Sequence, residues 1–350
     1  MGTSRWRHRP AGSNWGDFGP DDQLGRLNLI TPQKVREGLA EATDGTTFCL
    51  SLPLDYPGGN VLNPRRYPPV LRPTLRDGRP NFNCTLSGAD ANRTDVINDD
   101  LALLHLQYST QWDSLAHVGA LFDADGDGVA EKVYYNGYRA GTDVVGPAEA
   151  SGAGATGAIG AESTSGAHAL GIERMAAHGV QGRAVMIDLH AHFGRERKLV
   201  GFDELTAIMA ADNVSVEAGD MVCLHTGFAQ SLLEMGKHPD TAALRTCAAL
   251  DGRDGRLLDW ITSSGLSVLA ADNYAVEAFP AAPASDERCS TLPLHEHCLF
   301  KNGIHLGELW YLTRLANWLR ERGRSRFLLT APPLRLPGAV GSPVTPIGTV

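Results

Sequence analysis

The chain has 350 residues, 43% hydrophobic and 20% charged, an ordinary globular balance with enough apolar material for a core that encloses a pocket. A net charge of −9 argues against a nucleic-acid partner, and no apolar run approaches the ~20 residues a membrane span needs. The basic start, Met1 to Pro10, leads into no apolar signal region, so a cytoplasmic protein is expected.

Residues 1–32 are rich in Gly, Pro and Asp and read as an arm packed over the body. Residues 32–42 read as a helix, with Thr31 as cap and Pro32 in the first turn. Residues 47–54 read as a strand, and 56–83, dominated by Pro and Arg, as a long ordered loop. Residues 97–119 show strand-like alternation. Residues 147–166 are Ala-, Gly- and Ser-rich, which suits a flexible loop or a mobile lid. Beyond them helices (171–178, 202–212, 257–263, 308–322) alternate with strands (184–189, 221–225, 267–271, 327–330), the pattern of an α/β domain over 33–350. The six cysteines form no Cys-x-x-Cys pair, so reduced, buried thiols are expected rather than a zinc cluster or disulfide scaffold.

The chemistry concentrates in Gln107-Tyr-Ser-Thr-Gln111-Trp-Asp113-Ser-Leu-Ala-His117. In an extended segment Gln107, Gln111, Asp113 and His117 share one face and Trp112 points to the other. Four buried polar side chains need partners or a task. They form either a self-satisfied hydrogen-bond network or a metal or acid–base site. The sequence contains no Gly-x-Ser-x-Gly elbow, phosphate-binding Gly-x-x-x-x-Gly-Lys-Ser/Thr loop or His-Glu-x-x-His helix. Asp123, Asp125 and Asp127 with Gly128 look like the start of a calcium loop, but Tyr134 holds its twelfth position and Glu131 comes three places early; calcium and a solvated acidic turn both remain open.

The same segment resembles the metal motif of the cyclase family that includes bacterial kynurenine formamidase and isatin hydrolase, His-x-x-x-His-x-Asp-x-x-x-His. Gln107 and Gln111 stand where the first two histidines would be; Asp113 and His117 match. Asn14-Trp15-Gly16, Pro20-Asp21-Asp22, Tyr135-Asn136-Gly137-Tyr138, the 182–188 run before His192, Leu294-His295 with Gly303, Gly307 and Glu308, and Gly341-Ser342-Pro343-Val344 follow in the family's order. The resemblance implies the swivelling β/β/α fold, a homodimer or homotetramer, and a small-molecule substrate.

It further implies hydrolysis of an amide, lactam, formamide or lactone, or the reverse ring closure. His117 would be the base, Asp113 would orient it, and Glu308 or His192 would assist the leaving group. Gln107, Gln111, Asp113, His295 and Glu308 would be the metal-facing set, with His297 and His305 as competitors of His295. Amides in place of imidazoles weaken zinc and favour a harder ion such as manganese; a metal-free site also fits. Glu308 alone reads as a charge at the head of the 308–322 helix. The aromatics Trp6, Trp15 and Phe18 are candidates to line a pocket for a planar substrate. Loss of both histidines keeps two other functions open: a metal-free cyclase, dehydratase or isomerase, and a non-catalytic small-molecule binding protein.

Overall fold

The computed structural model describes residues 5–88, 92–147, 163–284 and 289–350. The 147–166 segment thus falls largely outside the described residues. A nine-stranded sheet organises the chain. Its spatial order is Thr47–Cys49, Ile347–Thr349, Arg326–Thr330, Gln181–Asp188, Met221–His225, Val268–Ala271, His305–Glu308, Gln111–Asp113 and Gly341–Pro343. The four strands from Gln181–Asp188 to His305–Glu308 run parallel, and antiparallel pairs complete both edges. Parallel strands covered on both faces read as unbroken apolar runs, and Met221–His225 and Val268–Ala271 are buried at every position.

Side-chain alternation sorts the core into two layers. Ile187, Val222, Leu224, Leu269 and Leu306 pack on one face with Leu205 and Leu257 of the helices Phe202–Ala211 and Gly255–Ser263. Met186, Met221, Cys223, Val268 and Trp112 pack on the other with Leu315 and Leu319 of Thr313–Glu321. Trp112 is fully buried, lies edge-on to Trp310 at 4.8 Å, and donates its indole N–H to the Ala331 carbonyl at 2.8 Å.

The N-terminal arm is anchored by Trp15. Its ring meets Phe300 at 5.2 Å and Phe122 at 5.9 Å, and its N–H donates to the Phe300 carbonyl. Trp15 is therefore part of the core. A Cβ on Gly25 would lie 2.1 Å from the Gly303 carbonyl oxygen, so glycine there lets two backbones touch.

The helix Pro32–Glu41 starts as expected, with the Thr31 hydroxyl accepting from the Lys34 amide. Four expectations change. The 56–83 loop contains Val70–Pro73, paired with Asp100–Leu103, and the small hairpin Leu75–Arg76/Arg79–Pro80. The 97–119 segment is not one strand: a turn closed by Tyr108 N–H to His105 O at 3.0 Å interrupts it. The last long helix begins at Thr313, because Leu309 turns left-handed (φ 55°) straight after the strand His305–Glu308. Cys223, Cys247 and Cys298 are buried thiols, but Cys49 and Cys289 are exposed; all six are free. Among the described residues no helix is long and apolar enough to cross a membrane.

Candidate metal and acid–base site

Antiparallel register sets Gln111 opposite Glu308 and Asp113 opposite Leu306. Cross-strand partners and residues two apart share a face, so Gln111, Asp113 and Glu308 converge. The Gln111 amide donates to Asp113 Oδ1 and to Glu308 Oε2, both at 3.3 Å. His295, closing the helical turn Pro293–His295, completes the cluster. Its Nε2 lies 3.1 Å from Glu308 Oε1 and 3.9 Å from Asp113 Oδ2. Its Nδ1 lies 2.8 Å from Glu277 Oε1, and Glu277 accepts in addition from the Leu294 and His295 amides, each at 3.0 Å.

Burial and charge act against each other here. Burial raises the Asp113 carboxyl above its usual range, and the Glu308 charge adds to this against the pull of His117 and His295. Burial also works to raise Glu308, but the hydrogen bond from His295 brings it below its ordinary value. Desolvation disfavours a charged His295; hydrogen bonds to Glu277 and Glu308 outweigh it and push the imidazole up to about 10. Two oxygens are left over: Gln111 Oε1 and Asp113 Oδ2 are buried without a partner. Leaving a buried acceptor unpaired costs about 1–3 kcal/mol, which asks for an occupant. Asp113, His295 and Glu308 offer ligand atoms all within 4.8 Å of one another. Two carboxylates and one imidazole make a donor set that fits a divalent cation. Glu277 would fix the tautomer of His295 from behind, as carboxylates do for metal-bound histidines.

His117 stands at the edge. Its Nε2 is 3.8 Å from Asp113 Oδ1 and its Nδ1 is 3.1 Å from Gln107 Nε2. Gln107 thus supports His117 rather than joining the ligand set. Gly341 makes this possible, since a Cβ there would meet Gln107 Nε2 at 2.6 Å. While Asp113, His295 and Glu308 are buried, the His117 side chain keeps 21% of its exposure and opens onto a cleft of about 790 Å³ bounded by Lys132, Tyr134 and Val340. The site therefore reaches solvent through His117.

The other histidines go elsewhere. His192, on the short helix Leu189–Phe193, pairs with Asp212 at 2.9 Å at the surface and makes no contact with Asp113 or Glu308. The helix turns it outward, so a leaving-group role is not supported. His190, on the same helix, is half-buried against the His225 ring at 5.2 Å. His297 bonds the Thr262 hydroxyl at 2.9 Å, and His305 is buried on its strand; burial lowers them to about 4 and about 3. That leaves His295 as the histidine that faces the site. Glu308 is the last residue of a strand, so a helix-head role is excluded. Asp123 accepts from the Gly126, Asp127 and Gly128 amides, and Arg139 pairs with Glu131 and Asp125. Although Asp123, Asp125 and Glu131 cluster, their charges are engaged as a self-capped acidic turn. The sequence reading missed Glu277, which no local motif marks, and Arg66, whose guanidinium donates to the Gln107 carbonyl at 2.6 Å and whose charge favours ionised Asp113 and Glu308.

A family model described as "Putative cyclase" matches residues 50–278. The chain belongs to this cyclase family. A crystal structure described as a novel cyclase shares 28% identity over 97% of both chains, with a TM-score of 0.71. Isatin hydrolase A from Labrenzia aggregata, bound to benzyl benzoate, shares 12% identity over 91% of this chain and 98% of its own, at 0.52. Isatin hydrolase A from Ralstonia solanacearum shares 15% over 91% and 97%, at 0.54. The two hydrolases share the cyclase fold with this chain. Comparison with curated protein sequences returned no match.

Proposed function

We propose that this cyclase-family protein hydrolyses a cyclic or aryl amide, lactam, formamide or lactone at the Asp113–His295–Glu308 cluster, assisted by a divalent cation. The observation that carries this reading is the pair of orphaned oxygens, Gln111 Oε1 and Asp113 Oδ2, beside a histidine already oriented by Glu277. Gln111, Asp113, His295 and Glu308 would hold the cation, and oxygen donors favour manganese over zinc. Such an ion supplies Lewis-acid polarisation of a carbonyl and a more acidic water.

The chain's own residues do the rest. The substrate enters by the His117 cleft. His117 takes the water proton on Nε2, which requires the neutral ring to carry its proton on Nδ1. Gln107 can stabilise that tautomer by turning its carbonyl oxygen to Nδ1–H, in the contact now made at 3.1 Å. Asp113, 3.8 Å from Nε2, stabilises the imidazolium that forms as the water oxygen adds to the carbonyl carbon, and the imidazolium then returns the proton to the leaving nitrogen or oxygen as the C–N or C–O bond breaks. Arg66 lends positive charge to the cluster.

One observation favours a second reading. His295 sits between Glu277 and Glu308 with both ring nitrogens engaged, a self-satisfied arrangement suited to a metal-free cyclase, dehydratase or isomerase with Asp113 as acid. Metal analysis of protein purified without chelator, combined with a screen of formamides, lactams and lactones, separates the two. Stoichiometric manganese and metal-dependent turnover support hydrolysis; full turnover in chelator supports the metal-free enzyme. Unchanged turnover in His117→Ala would remove His117 as the base.

The protein also pairs with a second copy of itself in this proposal. Eight of the seventeen exposed large apolar side chains among the described residues lie between Tyr67 and Leu104, a concentration typical of contact surfaces. Light scattering tests it, and a monomer at micromolar concentration would refute it.

A further inference from the structure

We infer that a cavity behind Glu277 is a second small-molecule site, one that takes an aromatic carboxylate bearing a hydroxyl or N–H donor. The cavity has a volume of about 310 Å³, and Leu62, Phe228, Tyr274 and Phe279 supply apolar wall. Tyr274 and Phe279 meet edge-on at 6.2 Å, and Phe279 is 51% exposed. That volume suits one ring with substituents.

Three observations fix the chemistry. First, Arg197 and Arg245 line the cavity, and among the described residues neither guanidinium has a hydrogen bond or ion pair, whereas nearby Arg195 is engaged by Glu234 at 2.7 Å. Two uncompensated guanidinium groups over an apolar floor select a carboxylate, which the planar fork grips bidentately. Second, Asn273 is 5% exposed and lines the same cavity. Its amide N–H groups donate to the Ala248 and Val276 carbonyls at 3.2 and 3.3 Å, but its Oδ1 is buried and unpartnered. An orphaned acceptor calls for a ligand donor. Third, the turn that carries Asn273, Tyr274 and Glu277 holds Ala275 at φ 74° and Val276 at φ 58°. A β-branched residue in the left-handed region costs on the order of 1–3 kcal/mol, a strain that gathers at ligand sites.

Glu277 also lines the cavity. Its carboxylate is already satisfied by His295 and two backbone amides, so the arginines set the sign of the field. The occupant therefore stands against the side chain that orients His295, while the catalytic cluster lies on the other side of it. The site does not depend on the hydrolase reading, because it is argued from groups that the reaction does not use.

Calorimetry on the full chain with phenylacetate, 3-hydroxyphenylacetate and the neutral phenylacetamide tests the inference. The two carboxylates should bind, the hydroxylated one more tightly, and the amide roughly tenfold or more weaker. Arg197→Ala/Arg245→Ala changes two exposed side chains, so the fold should persist, as circular dichroism will check, and carboxylate affinity should fall by about tenfold or more. Chelator should change nothing. Equal binding of acid and amide, undiminished binding to the double variant, loss of binding in chelator, or no carboxylate binding up to about 10 mM would each overturn the site. A hydroxyl without effect would remove Asn273 from it.

Discussion

Gly341→Ala tests whether Gln107 governs His117. Gly341 pairs with Asp113 on the edge strand, and its φ is not in the left-handed region, so its backbone accepts alanine. The added Cβ would meet Gln107 Nε2, Cδ and Cγ at 2.6, 2.8 and 2.9 Å. Carbon contacts are comfortable from about 3.5 Å, so the Gln107 side chain must retreat by about 1 Å. The contact to His117 Nδ1, now 3.1 Å, would then be lost. The net stability cost is about 1 kcal/mol, but a displacement of this size near reacting groups can lower rates by about 100-fold. We expect kcat/KM on a substrate from the screen to fall roughly 10- to 100-fold with a small change in the urea midpoint. The decisive assay is a double-mutant cycle with Gln107→Ala. Once the amide is gone the methyl has nothing to displace, so Gly341→Ala should add almost no further loss. Coupled neighbours show interaction energies of about 0.5–3 kcal/mol. If the two losses simply add, Gly341 acts on something other than Gln107, and Gln107 does not govern His117.

Three other outcomes are expected. Glu277→Gln preserves shape but removes the charge behind His295 and turns an amide donor toward the Leu294 N–H now bonded at 3.0 Å; manganese affinity by calorimetry should drop about 10- to 100-fold, and an unchanged affinity would detach Glu277 from the metal. His305 is neutral in the fold, with a value near 3 because of burial, against ~6.5 unfolded. Its contribution is complete above about pH 6.5 and is lost as pH falls toward 3, because the unfolded chain takes up the proton first. His305→Leu should therefore flatten urea stability between pH 6 and 4 by up to about 1.4 kcal/mol per pH unit; identical acid limbs would refute the assignment. Trp112→Ala removes a fully buried ring and its bond to Ala331, and chemical denaturation should register a loss of about 3–5 kcal/mol. A loss under about 1 kcal/mol would show that the two-tryptophan contact does not hold that face.

What the sequence made legible follows from the range of each interaction. Period-two alternation places Gln111 and Asp113 together and Trp112 opposite because all three lie in one strand, and that geometry needs only local backbone. Alternation then misleads at Gln107: the 104–110 stretch turns instead of extending, and Gln107 reaches His117 across that turn. Glu308 was visible as a residue but its setting was not. The apolar-periodic run that follows it reads as one helix, and the left-handed Leu309 that separates strand from helix has no glycine or proline to announce it. Its carbonyl is held instead by the Thr110 hydroxyl at 2.5 Å, a contact spanning 199 positions.

Glu277 and Arg66 are the clearest limit. Each acts through one long-range contact, Glu277 on His295 and Arg66 on the Gln107 carbonyl, and neither sits in a pattern that spacing can detect. Long-range contacts also let a cyclase-family site carry glutamine at 107 and 111. The orphaned oxygens of Gln111 and Asp113 arise because Gln111 gives its N–H groups to Asp113 and Glu308. That leaves its carbonyl free beside two carboxylates, where a neutral oxygen adds a donor without a third negative charge. A glutamate at 111 would place that third charge within 3.3 Å of both, against the charges of Arg66, His117 and His295. The amide is thus the substitution that keeps an oxygen-donor pocket foldable before any cation arrives.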